Sequence, residues 1–229
     1  MPASRRYSRR MIVDLSHEIV PGMRTYPGLA GPQIQTVLSR AESAERLGSG
    51  LSLEVESITL VGNTGTYIDA PFHYHADRAD VARLPLERLV NVPVVMIRVR
   101  DRSEVSADDL GERDRLWGHA VLVHTGWSRH WGTDRYLDFH CPHLRADAVD
   151  ALVDANVAIV GIDSLNIDDP TDNDRPAHNK LLGADIPIIE HLTNLQAVPD
   201  AEARLTAVPA PTRGMASFPV RAIATYDAT

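Results

Sequence analysis

Three short apolar runs rich in β-branched residues constrain this chain more than any other feature: "VPVVMIRVR" from Val92, "HAVLVHTGW" from His119 and "VAIVGI" from Val157. Each suits a strand, is far too short to span a membrane and is bounded by turn-forming residues. "LSLEVESITL" at 51–60 alternates apolar and polar side chains, the period of a half-buried strand. "MIVDLSHEI" from Met11 reads as a strand, and the prolines and glycines of "PGMRTYPG" after it forbid regular structure. Ser106 and the two aspartates of "SADDLGERDRLWG" predict a helix start, and "ADAVDALVDANVAIVGIDS" predicts a helix ending near Asn156 followed by the strand Val157 to Ile162. Strands outnumber helices, so the expected class is α/β or α+β with a substantial sheet.

At 229 residues the chain can bury one sizeable core. Residues 1–10, "MPASRRYSRR", read as a basic flexible arm, and residues 11–229 as a single domain. A net charge of -8 offers no basic face to nucleic acid or anionic lipid, which leaves a small molecule as the expected partner. No apolar run is long enough for a membrane span, and the expected location is the cytoplasm. The lone Cys141 excludes an intrachain disulfide and a cysteine-cluster metal site. Neither GxGxxG nor GxxxxGK[ST] occurs, so no nucleotide cofactor is expected.

The densest chemistry lies in "GNTGTYIDAPFHYH" at 62–75. If residues 61–69 are extended, Asn63, Gly65, Tyr67 and Asp69 share one face, while Thr64, Thr66 and Ile68 share the other. Pro71 cannot continue a central ladder, so the chain turns there and brings His73 back toward the strand end. A carboxylate and an imidazole then converge beside a glycine, although the same residues could merely hold a turn. Downstream, "RPAHNKLLGADIPIIEHLTNL" places His178 after a proline and Glu190 in an apolar run, where an ionised carboxylate is costly unless paired or metal-bound.

These segments resemble the metal-dependent hydrolases of the cyclase family, which includes bacterial kynurenine formamidase, isatin hydrolase and polyketide cyclase-like enzymes. The hallmark HxGTHxDxPxH is matched in register by "NTGTYIDAPFH" at its Gly-Thr, Asp, Pro and last His, and "HNKLLGADIPIIEHLTNL" matches the family's downstream His, leucine pair and Glu. "DLSHEI", "YPG", "VHTGW", "GIDSLNID" and "FPVRAIA" extend the likeness over nearly the whole chain. The resemblance implies an α/β fold of the β-rich swivelling β/β/α type, a single cyclase-like catalytic domain over 11–229, and a homodimer or homotetramer.

Carried over position by position, the resemblance implies Asp69, His178 and Glu190 as metal ligands and His73 as general acid/base. The two other hallmark histidines are Asn63 and Tyr67 here. Asn63 can lend a carbonyl oxygen, whereas Tyr67 would have to lose a proton of pKa about 10 to ligate well. One divalent ion is therefore expected, manganese, zinc or magnesium, in place of two. The expected activity is metal-assisted hydrolysis of a small aromatic or cyclic amide, lactam or lactone. Two alternatives stay open: a metal-free cyclase or isomerase using Tyr67, Asp69 and His73, and a binding protein that no longer reacts.

Trp127 beside Gly126, and His17 in "LSHEI", are candidate substrate contacts, with packing roles equally available to both. "HCPH" at 140–143 reads as a loop or strand entry, not a metal knot. His75, His119, His124, Trp117 and Trp131 read as loop or packing residues. Asp163 and Asp168 either support the site or hold turns.

Overall fold

The computed structural model describes residues 9–228, and the three apolar runs lie side by side at its centre. In chain order the strands are β1 (Arg9–Asp14), β2 (Gln33–Leu38), β3 (Val55–Thr59), β4 (Tyr67–Asp69), β5 (Val92–Arg98), β6 (Glu104–Val105) and β7 (Ala120–His124). They continue as β8 (His143–Leu144), β9 (Ile159–Ile162), β10 (Ile188–Glu190), β11 (Arg204–Thr206), β12 (Ser217–Pro219) and β13 (Ile223–Ala228). Three helices, α1 (Arg40–Leu47), α2 (Ala146–Asp154) and α3 (Pro176–Gly183), complete the regular elements of the described residues, apart from short 3-10 turns. The predicted arm at 1–10 lies outside the described residues except for Arg9 and Arg10, which open β1.

Nine strands form one mixed sheet in the order β1-β13-β11-β5-β7-β9-β10-β4-β12. The central pairs β5/β7, β7/β9 and β9/β10 are parallel, and every flanking pair is antiparallel. Parallel neighbours need long crossovers, which α2 supplies between β7 and β9, and α3 between β9 and β10. Alternation along each strand divides the core into two layers. Met96, Leu122, Ile159 and Ile189 pack into one, with Leu15, Ile68 and Leu205. Ile97, Val121, Val160 and Ile188 pack into the other, under Val149 and Leu152 of α2 and Leu181 of α3. Both faces are covered, which is why these strands read as unbroken apolar runs. The α/β class and the strand-rich sheet are as the sequence leads one to expect.

Three local expectations need correction. The alternating stretch at 51–60 yields only β3, which pairs with β2 alone and is exposed along its whole length. Its alternation matches burial that the isolated chain does not provide. Residues 61–66 are not extended, because Gly65 takes φ +65 and its N–H turns to the Thr25 hydroxyl at 2.9 Å. Ser106 does start a turn, with Asp109 reciprocating its cap, but the 3-10 segment stops at Leu110 before Gly111, whose φ is +71. No helix of the described residues is long and apolar enough to cross a membrane.

Candidate active site

Register on β4 assembles the site. Tyr67 lies opposite Glu190 of β10 and Pro219 of β12, while Asp69 lies opposite Ile188 and Ser217. Cross-strand partners share a face, so Tyr67, Asp69, Glu190 and Ser217 all project toward the helical side, and Ile68 and Ile189 go into the opposite layer. Pro71 starts a 3-10 turn over Pro71–His73 that returns the imidazole Nε2 to 4.0 Å from Asp69 Oδ1. The turn predicted at Pro71 is present, and His73 stands at the strand end.

His178 arrives from α3, and one carboxylate sets both the helix and the ring. Asp168 accepts from the Ala177 and His178 N–H groups at 2.6 and 3.0 Å, neutralising the helix start, and from His178 Nδ1 at 2.6 Å. That bond commits Nδ1 and leaves Nε2 facing Asp69 Oδ2 at 3.8 Å and Glu190 Oε1 at 3.9 Å. A carboxylate behind a histidine is the usual support of a metal-binding imidazole.

Each carboxylate is otherwise occupied. Asp69 Oδ1 accepts from the Ser217 hydroxyl, while its Oδ2 is buried without a hydrogen-bond partner. Glu190 Oε1 accepts from Ile167 N at 2.7 Å and Oε2 from the Tyr67 hydroxyl. Asn63 Nδ2 donates to Ser217 Oγ at 3.3 Å, so the two residues that depart from the hallmark join the network around Asp69 and Glu190.

Burial raises Glu190 to about 7 despite the neighbouring His178. Burial works the other way on His178, yet Asp168 and Asp69 outweigh it and hold the imidazole up at about 10. Burial would also raise Asp69, but His178, His73 and Ser217 bring it below its ordinary value. Three buried carboxylates thus demand positive charge at His178 Nε2, supplied by a proton or by a cation.

The spacing fits a cation. Oxygen and nitrogen atoms 3.8 and 3.9 Å apart are too distant for hydrogen bonds, but they suit ligands that each lie about 2.0–2.2 Å from one ion. Ligand atoms of Asp69, His73 and His178 all fall within 4.8 Å of one another. With its amide nitrogen bound to Ser217, Asn63 has only its carbonyl oxygen left to offer.

Beside the carboxylates lies an aromatic cluster that sequence reasoning only partly anticipates. His17 stacks on Trp131 with ring centres 3.8 Å apart, and Trp131 meets His191 edge-on at 5.6 Å. His191 Nδ1 pairs with the Tyr136 hydroxyl at 2.8 Å, and the Nε2 atoms of both histidines are buried without partners. Burial lowers His17 to about 4 and His191 to about 3, so both are neutral. Trp127 stands behind this cluster, its indole N–H given to the Tyr136 carbonyl at 3.1 Å. Tyr74 stands at the rim, stacked on His178 at 5.1 Å, and Tyr26 stacks on Phe139 at 6.0 Å. The only sequence signal of the two tyrosines is proximity to "YPG" and His73.

The other tempting residues have structural duties. Asp163 receives Thr125 N and Oγ1, both at 2.7 Å, and Gly126 N at 2.9 Å. His124 Nδ1 faces Arg98 at 3.1 Å, and His75 Nε2 faces the Asn179 carbonyl at 2.9 Å. In "HCPH", Cys141 is buried while His140 points to solvent beside Asp138. Trp117 is exposed.

The family model described as "Putative cyclase" matches residues 13–169. The chain belongs to the cyclase family. It is 30% identical over 212 residues to the kynurenine formamidase of Bacillus anthracis, covering 92% of this chain and 95% of that one. The kynurenine formamidase of Salinibacter ruber is likewise 30% identical, over 93% of this chain and 96% of its own. In structure it superposes on isatin hydrolase A from Labrenzia aggregata, bound there to benzyl benzoate, with a TM-score of 0.82, 23% identity and coverage of 96% and 94%. A potential metal-dependent hydrolase with cyclase activity gives a TM-score of 0.78 at 25% identity, over 96% of this chain and all of the other. This cyclase-family chain is an enzyme, a hydrolase of amide type.

Proposed function

We propose that the enzyme is a metal-assisted hydrolase of a small aromatic or cyclic amide, lactam or lactone. The observation that carries the reading is His178 Nε2 set 3.8 Å from the buried, partnerless Asp69 Oδ2 and 3.9 Å from Glu190 Oε1, with His73 completing a group of ligand atoms with Asp69 and His178. Two carboxylates and one imidazole would hold one divalent ion, manganese, zinc or magnesium. When bound, that ion supplies Lewis acidity toward a substrate carbonyl and toward water.

The chain's own groups do the rest. His73, with about a third of its side chain open to solvent and its Nε2 4.0 Å from Asp69, would take a proton from water and return it to the leaving nitrogen or oxygen. Tyr67 holds Glu190 by donating its hydroxyl, and burial raises its own pKa well above 10, so it serves as a donor and not as an anionic ligand. His17, neutral, stacked on Trp131 and with a buried, partnerless Nε2, would offer one polar contact to a substrate ring.

The proposed enzyme acts as a homodimer or homotetramer in the cytoplasm. What supports association is the β2–β3 ribbon with the loop leading into β3, where Val37, Leu51 and Ile58 are each more than half exposed.

Elemental mass spectrometry on untagged protein, combined with hydrolysis of formanilide, tests the catalytic reading. About one divalent ion per chain is expected, lost in Glu190→Ala and retained in His73→Ala, with turnover lost in both. No bound metal after refeeding with manganese, zinc and magnesium would overturn it and favour the metal-free or binding alternatives.

A further inference from the structure

Trp131 lies face to face on His17, with ring centres 3.8 Å apart and the planes within 5° of parallel. A flat aromatic ligand would sit on an imidazole in the same way, and here the chain's own indole takes the place. The indole also meets His191 edge-on at 5.6 Å, and His191 lies 5.2 Å from the ring of Tyr67, whose hydroxyl holds Glu190. Trp131 is partly exposed and His191 wholly buried, so a row of rings runs inward from the surface to that carboxylate. On both imidazoles that Trp131 meets, Nε2 is buried without a hydrogen-bond partner. Such atoms stay costly until water or a ligand reaches them.

Little holds the indole in place. Trp127 gives its N–H to the Tyr136 carbonyl at 3.1 Å and has the Arg135 guanidinium 5.7 Å from its ring, whereas the Trp131 N–H makes no hydrogen bond among the described residues. Its backbone is the first corner of a tight turn. Trp131 has φ −49 and ψ 139, Gly132 has φ +76, and the Thr133 N–H closes on the His130 carbonyl at 3.1 Å. These angles make a type II turn, whose second corner calls for glycine. The tip belongs to no strand or α-helix, so moving it breaks no bond of the sheet or of α1, α2 and α3. A cavity of about 220 Å³, roughly seven waters' worth of space, adjoins the indole between Val20, Met23, Tyr136 and Leu137. The Arg24–Asp134 pair ties the two loops at 2.5 Å, but both side chains are largely exposed, which makes it a weak latch.

We propose that Trp131 is the gate of the site: closed, its indole fills the slot on His17, and swung into the adjoining cavity it yields that slot to a flat aromatic ring and uncovers Nε2 of His17 and of His191. The identity of the entering ring rests on the hydrolase reading above, while the motion stands on the turn, the cavity and the unanchored indole. Opening lets both imidazoles find polar partners, so a ligand that offers one favours the open arrangement. A Trp131 that served only as a fixed wall would keep His191 sealed for as long as the chain stayed folded.

Access to His191 separates gate from wall. Diethyl pyrocarbonate labelling of the metal-loaded enzyme, read by peptide mass spectrometry, is expected to modify His191 in folded wild type at least about tenfold faster than global unfolding permits, and faster still in Trp131→Ala. Labelling of wild type no faster than unfolding would overturn the gate. Fluorine NMR of protein carrying 5-fluorotryptophan, assigned by single Trp→Phe variants, follows the indole itself. Added benzamide is expected to shift the Trp131 signal and leave Trp117 unchanged. Gly132→Ala, whose Cβ meets nothing within 4 Å but sits at a φ unfavourable to alanine, is expected to fold and to move the Trp131 signal without any ligand. Benzamide that does not bind, or that binds without moving Trp131, would overturn the exchange of rings. Fast labelling of His191 with no hydrolysis of formanilide would keep the gate and sink the hydrolase reading, so the two failures are told apart.

Discussion

Asp168 shows how much one side chain can set. It caps α3 and fixes the tautomer of His178 through Nδ1 at 2.6 Å, so its loss should act on metal affinity before it acts on chemistry. Asp168→Asn is expected to weaken metal binding by about 10–100-fold, measured by competition with a chromophoric chelator. His17 makes a different prediction. Its pKa is about 4 in the folded chain against 6.5 when unfolded, so between those values only the unfolded state binds the proton. Stability therefore falls as pH drops from 6.5 to about 4 and loses nothing more from this group below that. Urea unfolding across this window should show a wild-type slope steeper than that of His17→Gln by up to about 1.4 kcal/mol per pH unit.

At the scale of elements, the site depends on close contact between the segment before β4 and the edge strand β12. A Cβ on Gly62 would fall 2.3 Å from the Ser217 carbonyl oxygen, which is backbone and cannot swing aside. Gly62→Ala should push β12 from β4, destabilise the fold by about 1–3 kcal/mol in urea denaturation and loosen Ser217 from Asp69. The parallel strands, α2 and the strand bearing Glu190 are legible in the sequence, because burial on both faces and a helical period leave marks in the order of residues. The exposure of β3 is not, since alternation records a face fit for burial and says nothing of what covers it. Nor is the turn at Gly65 legible, where a side-chain contact with Thr25 from a distant loop decides the backbone.

For the whole molecule, the exposed ribbon sets the prediction. Ile34, Val37, Leu51, Leu53, Val55 and Ile58 are 42–65% exposed within one antiparallel pair and the loop leading into its second strand. Light scattering should give two or four times the chain mass, and the double variant Val37→Glu with Ile58→Glu should reduce it. A single-chain mass for wild type would count against association through this ribbon.

Taken alone, the order of residues determined the class of fold and the family and picked out the candidate site residues, because apolar runs and the "NTGTYIDAPFH" segment are local in the chain. Tertiary structure decided how they act together. Register across β4 put Asp69 and Glu190 on one face, and α3 brought His178 Nε2 within 4 Å of both. Such placements depend on contacts between residues as far apart as Asp69 and Ser217, and no local pattern specifies them.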